Sequence, residues 1–87
     1  RHTAVRITHH PSGAVGYSAD ERDQLTNKVA AFRRMAESKA FKAWVRIMVS
    51  ELTTGKTLEQ RVEEDMEPKN LRVDVRGEDG KWQAVVD

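Results

Sequence analysis

Two short runs of alternating apolar and polar residues, almost at the start of the chain, restrict its fold more than any other feature. The first run covers residues 3–9 and the second covers residues 14–17, with Pro-Ser-Gly between them. Alternation with a period of two indicates half-buried strands. Because proline fixes φ and glycine permits a positive φ, the segment between the runs has turn chemistry. Residues 3–17 are therefore predicted to form a β-hairpin.

Apolar residues at helical spacing follow the hairpin. Residues 18–21 read Ser-Ala-Asp-Glu, which fits a capping box, so a first helix is predicted from there to about Ser38. A second helix is predicted over about 40–52 and a third over about 57–66, with Pro68 in the segment that breaks it.

A second strand pattern appears near the C-terminal end. Residues 71–76 alternate leucine and valine with arginine and aspartate, and a Gly-Glu-Asp-Gly turn follows, so residues 71–86 are a candidate second hairpin. Strands at both ends with about three helices between them indicate an α+β fold with a small antiparallel sheet. All 87 residues are expected to form one domain.

The apolar faces of these elements are expected to form one core, with the first helix lying across the hairpin. Its predicted members are Val5, Ile7, Val15, Leu25, Val29, Phe32, Trp44, Val45 and Met48. The chain contains no cysteine, so this core has no disulfide to support it.

Charge is unevenly distributed along the chain. Residues 1–46 hold nine lysines or arginines against four acids, a net +5, whereas residues 47–87 hold six bases against ten acids, a net −4. A basic half joined to an acidic half predicts that one surface faces a polyanion. Two solvated helix faces of different sign would give the same pattern, and both interpretations stay open.

Few residues of the sequence are candidates for catalysis or metal binding. His9 and His10 are adjacent, and adjacent strand side chains point to opposite faces, so they are expected as a surface pair and not as ligands of one metal ion. Glu63, Glu64 and Asp65 fall on different sides of the predicted third helix, where they are expected to be solvated. The sequence therefore predicts no catalytic residue, no metal site and no cofactor within the 87 residues.

Two motifs in the first half of the chain resemble the catalytic domain of class I peptide-chain release factors. That family reads A-V-R-[IV]-T-H-x-P-[ST]-G and, one strand later, D-E-R-x-Q-x-x-N-K. The matching residues are Ala4, Val5, Arg6, Ile7, Thr8, His9, Pro11, Ser12 and Gly13 in the first motif, and Asp20, Glu21, Arg22, Gln24, Asn27 and Lys28 in the second. The motifs stand in the family's order and separation, so residues 3–38 correspond to the family core and residues 39–87 to a helical and strand extension.

The resemblance implies ribosome-associated hydrolysis of the peptidyl-tRNA ester, in the cytoplasm. In the family, a Gly-Gly-Gln loop precedes the first motif, which places it upstream of Arg1. The glutamine backbone of that loop lies near the ester, water attacks, and the backbone amide helps to stabilise the developing oxyanion. That role falls to no residue of this chain. Whether the chain takes part in an enzyme therefore depends on the residues before it.

The resemblance has limits at the C-terminal end. Residues 71–87 set three bases against four acids, unlike the basic tail of stop-codon-independent rescue factors. Residues 71–76, Leu-Arg-Val-Asp-Val-Arg, are similar to the family's strand before Gly-Gly-Gln, but no glutamine follows where that loop would need one. The sequence supports neither codon-specific termination nor rescue by a basic tail.

The implied partners are the ribosome and peptidyl-tRNA, contacted through the basic half of the chain. No apolar run is long enough to span a bilayer, and no membrane contact is expected. The residues predicted to contact RNA are Arg6, Thr8, Arg22, Lys28, Arg33 and Arg34. Two alternatives remain: a non-catalytic RNA-binding or ribosome-binding module, and a regulatory domain that binds another protein through its acidic half.

Overall fold

The computed structural model describes residues 3–50 and 58–85 and has the α+β fold predicted from the sequence. The elements are β1 (Ala4–His9), β2 (Ala14–Ser18), α1 (Gln24–Glu37), α2 (Lys39–Ser50), α3 (Leu58–Asp65), a 3-10 turn (Pro68–Asn70), β3 (Leu71–Arg76) and β4 (Trp82–Ala84). Both predicted hairpins are present. The predicted end of the second helix at residue 52 and the predicted start of the third at residue 57 lie outside the described residues.

The four strands form one antiparallel sheet in the order β2-β1-β3-β4. The two hairpins are joined because β1 pairs with β3 along its whole length, with Val5 opposite Val75 and Ile7 opposite Val73. This pairing connects two segments that are far apart in the sequence. Each hairpin therefore contributes one inner strand and one outer strand to the sheet.

Helix α1 begins at Gln24, and its N-cap is Asp23, whose side chain accepts a hydrogen bond from the Thr26 backbone N–H at 2.7 Å. The predicted capping box at residues 18–21 is therefore wrong. Ser18 is instead the last residue of β2 and is fully buried, where its hydroxyl donates to a side chain of α1. The helix ends at Glu37, as the sequence predicted.

Helix α1 lies very close to β2. A Cβ added at Gly16 would overlap the backbone carbonyl oxygen of Ala31 and the backbone nitrogen of Met35. Only glycine leaves room for the helix at this distance. The buried core that results is small and consists of Val5, Ile7, Ala14, Ala31 and Met35.

Part of the predicted core is wrong. Val15, Leu25, Val29 and Phe32 are exposed, with Leu25 at 70% and Phe32 at 39% of their full accessible surface. Val15 points to the other side of the sheet because Ala14 and Gly16 occupy the helix side of β2. On α1, Asn27, Ala31 and Met35 face the sheet, since only a narrow stripe fits against Gly16. Val5, Ile7, Trp44 and Met48 are buried as predicted, and Val45 is half-buried.

His9 also differs from its prediction as one of a surface pair, because it is fully buried while His10 is exposed. It follows Val5 and Ile7 on the helix side of β1. Its Nε2 donates to the Asp65 carbonyl oxygen at 2.9 Å, and its Nδ1 lies 2.7 Å from the Ser12 hydroxyl. Its ring meets Phe41 and Trp44 edge-on, at centroid distances of 5.3 and 4.7 Å. His9 thus ties β1 to α2 and to the end of α3.

Candidate nucleic-acid interface

The buried amide of Asn27, a residue of the second motif, bonds to the residue that precedes the first motif, to the end of β2 and to the segment between β2 and α1. Its Oδ1 accepts hydrogen bonds from the Ser18 hydroxyl and the Glu21 backbone N–H, at 2.9 and 3.0 Å. Its Nδ2 donates to the backbone carbonyl oxygens of Thr3 and Glu21, at 2.7 and 3.0 Å. All four hydrogen-bonding positions of the amide are used. Asn27 therefore fixes the chain where it enters β1 and where it leaves β2.

The side of the sheet opposite α1 carries arginine and aromatic side chains. Strand alternation puts Arg6 beside Tyr17 on one neighbouring strand and beside Asp74 on the other, and Arg76 beside Trp82. We call this surface the arginine face. It consists of Arg6, Tyr17, Arg72, Asp74, Arg76 and Trp82.

Asp74 is the buried centre of the arginine face, with its side chain only 2% exposed. One carboxylate oxygen accepts from Arg6 Nε and Nη2 at 3.4 and 3.3 Å. The other accepts from Arg72 Nε at 2.8 Å. The Arg6 and Arg72 side chains remain 37% and 57% exposed, so both side chains reach solvent while Asp74 holds them in place. A buried carboxylate paired in this way orients both cations.

Two aromatic rings complete the arginine face. The guanidinium carbon of Arg6 lies 4.4 Å from the centre of the Trp82 ring, and that of Arg76 lies 5.3 Å from it. Arg76 Nη2 also donates to the Tyr17 hydroxyl at 3.1 Å. Tyr17 and Trp82 meet edge-on at a centroid distance of 6.0 Å, and both rings are partly exposed. Cation–π contact holds the arginines while leaving N–H groups available to a ligand.

The arginine face combines residues from both halves of the chain. Arg6 belongs to the basic half, whereas Arg72 and Arg76 belong to the half with a net charge of −4. The three arginines against one aspartate leave the face positive. Charge counted along the sequence therefore does not describe this surface, because the pairing of β1 with β3 brings the two halves together.

The structure separates the six residues predicted to contact RNA. Arg6 and Thr8 lie on the side of β1 that bears the arginine face. Arg34, on α1, donates to the Tyr17 carbonyl oxygen and pairs with Asp20, both at 2.7 Å. The three others lie elsewhere: Arg22 and Arg33 are exposed before and on α1, and Lys28 is half-buried on the helix side of the sheet.

Five residues of the arginine face are not among those predicted to contact RNA: Tyr17, Arg72, Asp74, Arg76 and Trp82. Arg72 and Arg76 alternate with valine in β3, and Trp82 opens β4 after the turn. Tyr17 shares the exposed side of β2 with Val15, which was predicted to be buried. A sequence signal did exist, since Arg6, Arg72, Arg76 and Trp82 all occupy strand positions. These positions could not be assigned to one surface without the pairing of β1 with β3.

A second surface feature lies on the helix side of the sheet. A groove of about 500 Å³ opens between α1 and the β3–β4 hairpin, and it is lined by Ile7, Lys28, Phe32, Pro68, Lys69, Leu71, Val73 and Val85. Leu25 and Val29 extend its apolar lining along α1. The groove exists because α1 covers β1 and β2 but leaves β3 partly open.

Two further observations apply to residues 3–50 and 58–85. No group of three or more histidine or acidic side chains is arranged there to hold a metal ion. None of the helices in these ranges has the length and apolar character needed to cross a membrane. Among the described surfaces, the arginine face is the one whose charge and aromatic rings indicate a class of ligand, a polyanion with flat apolar groups.

Comparison of the chain with protein-family models, with curated proteins and with solved structures gave no match. A functional proposal therefore depends on the contacts of the arginine face and on the hydrogen bonds of Asn27.

Proposed function

We propose that this chain is a release-factor-like domain of translation that contacts ribosomal RNA through the arginine face. Peptidyl-tRNA would be its substrate on the ribosome, and the ester would be hydrolysed with a Gly-Gly-Gln loop located before Arg1. The residues of the chain itself supply RNA contact and the anchoring of that upstream segment.

The observation that carries the RNA contact is the set of three fixed arginines on one side of the sheet. Arg6 and Arg72 are held by the carboxylate of Asp74, and Arg76 is held by the hydroxyl of Tyr17. A guanidinium presents planar, bidentate donors that match phosphate, and less side-chain entropy is lost when it is already ordered. An RNA backbone is the polyanion that this arrangement favours in a translation factor.

The hydrogen bond from Asn27 to the Thr3 carbonyl supports the release-factor part of the proposal. It joins the second motif to the residue that precedes the first motif. A catalytic loop attached there would leave the domain from a fixed point, and orientation of the loop is what such a mechanism requires. This gives the buried asparagine of the second motif a physical role that serves the upstream segment.

A release assay tests the proposal. Ribosomes loaded with labelled formyl-methionyl-tRNA are mixed with the 87-residue chain or with the protein that includes its native upstream residues. The upstream-containing protein is expected to release the label, and the 87-residue chain is not, because the proposed Gly-Gly-Gln loop is not among its residues. Substituting the glutamine of the upstream Gly-Gly-Gln with proline, which has no backbone N–H to stabilise the oxyanion, is the control for ester hydrolysis by contaminants.

Two results would contradict the proposal, one on where the catalytic group lies and the other on whether the protein is catalytic. Hydrolysis by the 87-residue chain alone would reveal a catalytic group within it. Absence of hydrolysis by the upstream-containing protein, together with retained ribosome binding, would favour the non-catalytic RNA-binding module instead.

A further inference from the structure

We infer that the arginine face binds unpaired RNA, with a base stacked on the Trp82 side of the face and the neighbouring phosphates on Arg72 and Arg76. This inference rests on the proposed RNA contact and names the form of RNA that is bound. Phosphate attraction alone would hold a duplex as well as a single strand, so the preference must come from the aromatic rings.

Trp82 is suited to stacking by its position. It lies on an outer strand of three residues, on the side of the sheet away from α1, and its ring is partly exposed. Tyr17 meets it edge-on and supports it from across the sheet. An indole ring kept at a polar surface is available to a flat apolar partner. Nucleobases are such partners, and stacking on an aromatic side chain strengthens the binding of unpaired bases whatever their sequence.

The arginines enlarge this platform. Arg6 lies over the Trp82 ring at 4.4 Å, so its planar guanidinium is part of the same layer. A base can stack on the indole or on a guanidinium that covers it, since both surfaces are used for unpaired bases. In either position the base lies close to the indole.

The phosphate-binding groups flank the rings. Arg72 and Arg76 are four residues apart on β3, which corresponds to about 13 Å along a strand. Arg72 is held by Asp74 at one end, and Arg76 is held by Tyr17 at the other. An extended RNA strand that follows β3 can therefore place phosphates on both arginines while a base reaches Trp82.

A duplex fits this face poorly. Its bases are stacked on one another and expose only their edges in the grooves. The rings of Tyr17 and Trp82 would then lose water without gaining a stacking partner. Charge would still attract the duplex, but the contribution of stacking would be absent.

Tryptophan fluorescence tests the inference, because the chain has only two tryptophans and Trp44 is buried. The chain is titrated with a short mixed-sequence single-stranded RNA and with a hairpin duplex of the same composition. The wild-type chain and the Trp82→Phe variant are compared, so that the difference between them reports Trp82 alone. Phenylalanine keeps a stacking surface, which protects the fold and much of the binding.

The single strand is expected to quench Trp82 and to bind about tenfold more tightly than the duplex, since one stacked base can supply the 1.4 kcal/mol that corresponds to this factor. Trp82→Ala is expected to remove the preference while leaving the weaker, salt-dependent binding of both RNAs. Arg46→Ala on α2 removes an exposed arginine away from the face and should change neither quantity.

The failures of the two proposals are distinguishable. Equal binding of both RNAs with no change in Trp82 fluorescence would overturn the single-strand inference and leave the RNA contact standing. Absence of binding to either RNA would overturn both. Binding of poly-glutamate with no binding of either RNA would show that the face recognises an acidic protein instead.

Discussion

The side-chain amide of Asn27 donates a hydrogen bond to the backbone carbonyl oxygen of Thr3 at 2.7 Å. The two residues are separated by a hairpin and by the start of a helix, yet they meet, with Asn27 fully buried and Thr3 half-buried. The same amide accepts from Ser18 and from Glu21. One side chain therefore holds the start of β1, the end of β2 and the segment before α1 together. Its loss should lower the stability of the whole domain and not of α1 alone.

Asn27→Ala is expected to destabilise the domain by about 3 kcal/mol or more, because it leaves several buried donors and acceptors without partners at 1–3 kcal/mol each. Asn27→Asp should be nearly as damaging, since a carboxylate cannot donate to the Thr3 and Glu21 carbonyls. Urea unfolding followed by circular dichroism measures both variants. Gln24→Ala, an exposed change on the same helix, is the matched control. A shift no larger than that of the control would show that Asn27 is not a structural link.

Gly16→Ala should destabilise the domain strongly because the added methyl group would overlap backbone atoms of α1. Overpacking at side chains costs about 1–3 kcal/mol, and backbone cannot move aside as a side chain can, so we expect a cost at or above the top of that range. Gly77→Ala is the control, since its Cβ would make only ordinary contact, 3.6 Å from an Asp79 carboxylate oxygen. Thermal unfolding of the two variants should differ clearly. Similar midpoints would mean that α1 does not approach β2 this closely.

Phe32→Ala and Met35→Ala test which side of α1 is buried. Met35 is fully buried, so its truncation should cost about 2–5 kcal/mol. Phe32 lines the open groove and is partly exposed, so its truncation should cost less, about 1–2 kcal/mol. Chemical denaturation of the two variants under identical conditions gives the order. The reverse order would restore the core predicted from the apolar pattern.

The elements of this fold could largely be predicted, whereas their arrangement could not. The strands and helices follow from local periodicity, and the buried stripe of α2 at Trp44 and Met48 was also identified correctly. On α1, the more apolar stripe is the exposed one, and the side that approaches Gly16 carries Asn27, Ala31 and Met35 instead. His9 could have been assigned to the interior, since it continues the alternation of Val5 and Ile7.

The candidate site was harder to predict for a different reason. Arg6 was predicted to contact RNA, but its neighbours Asp74 and Trp82 come from the other end of the chain. Local patterns carry no information on which strands pair over such a distance. The arginine face becomes visible only when β1 and β3 are placed side by side.

Asp23 should make part of the stability depend on acidic pH. Hydrogen bonds from the Thr26 backbone N–H and then from its hydroxyl lower the pKa of Asp23 below the ordinary value of 3.8. The stabilisation is therefore complete above pH 3.8 and is lost as the pH falls through the lower pKa of the folded state. Melting temperatures of wild type and Asp23→Ala, measured from neutral to acidic pH, should differ at neutral pH and converge below that pKa. A difference that persists unchanged into strong acid would mean that the cap does not act through the carboxylate.

The most direct test of the central claim is the salt dependence of RNA binding after charge is removed from the arginine face. Association with single-stranded RNA is measured across a series of salt concentrations for wild type, for Arg72→Gln/Arg76→Gln, and for Lys39→Gln/Lys42→Gln, which removes two exposed charges from α2. Each lost phosphate contact on a single strand reduces the slope of log K against log salt by about 0.7. The arginine variant is therefore expected to bind more weakly with a slope shallower by about 1.4, while the lysine variant keeps the wild-type slope. An unchanged slope in the arginine variant, or an equal change in the lysine variant, would contradict RNA contact through this face.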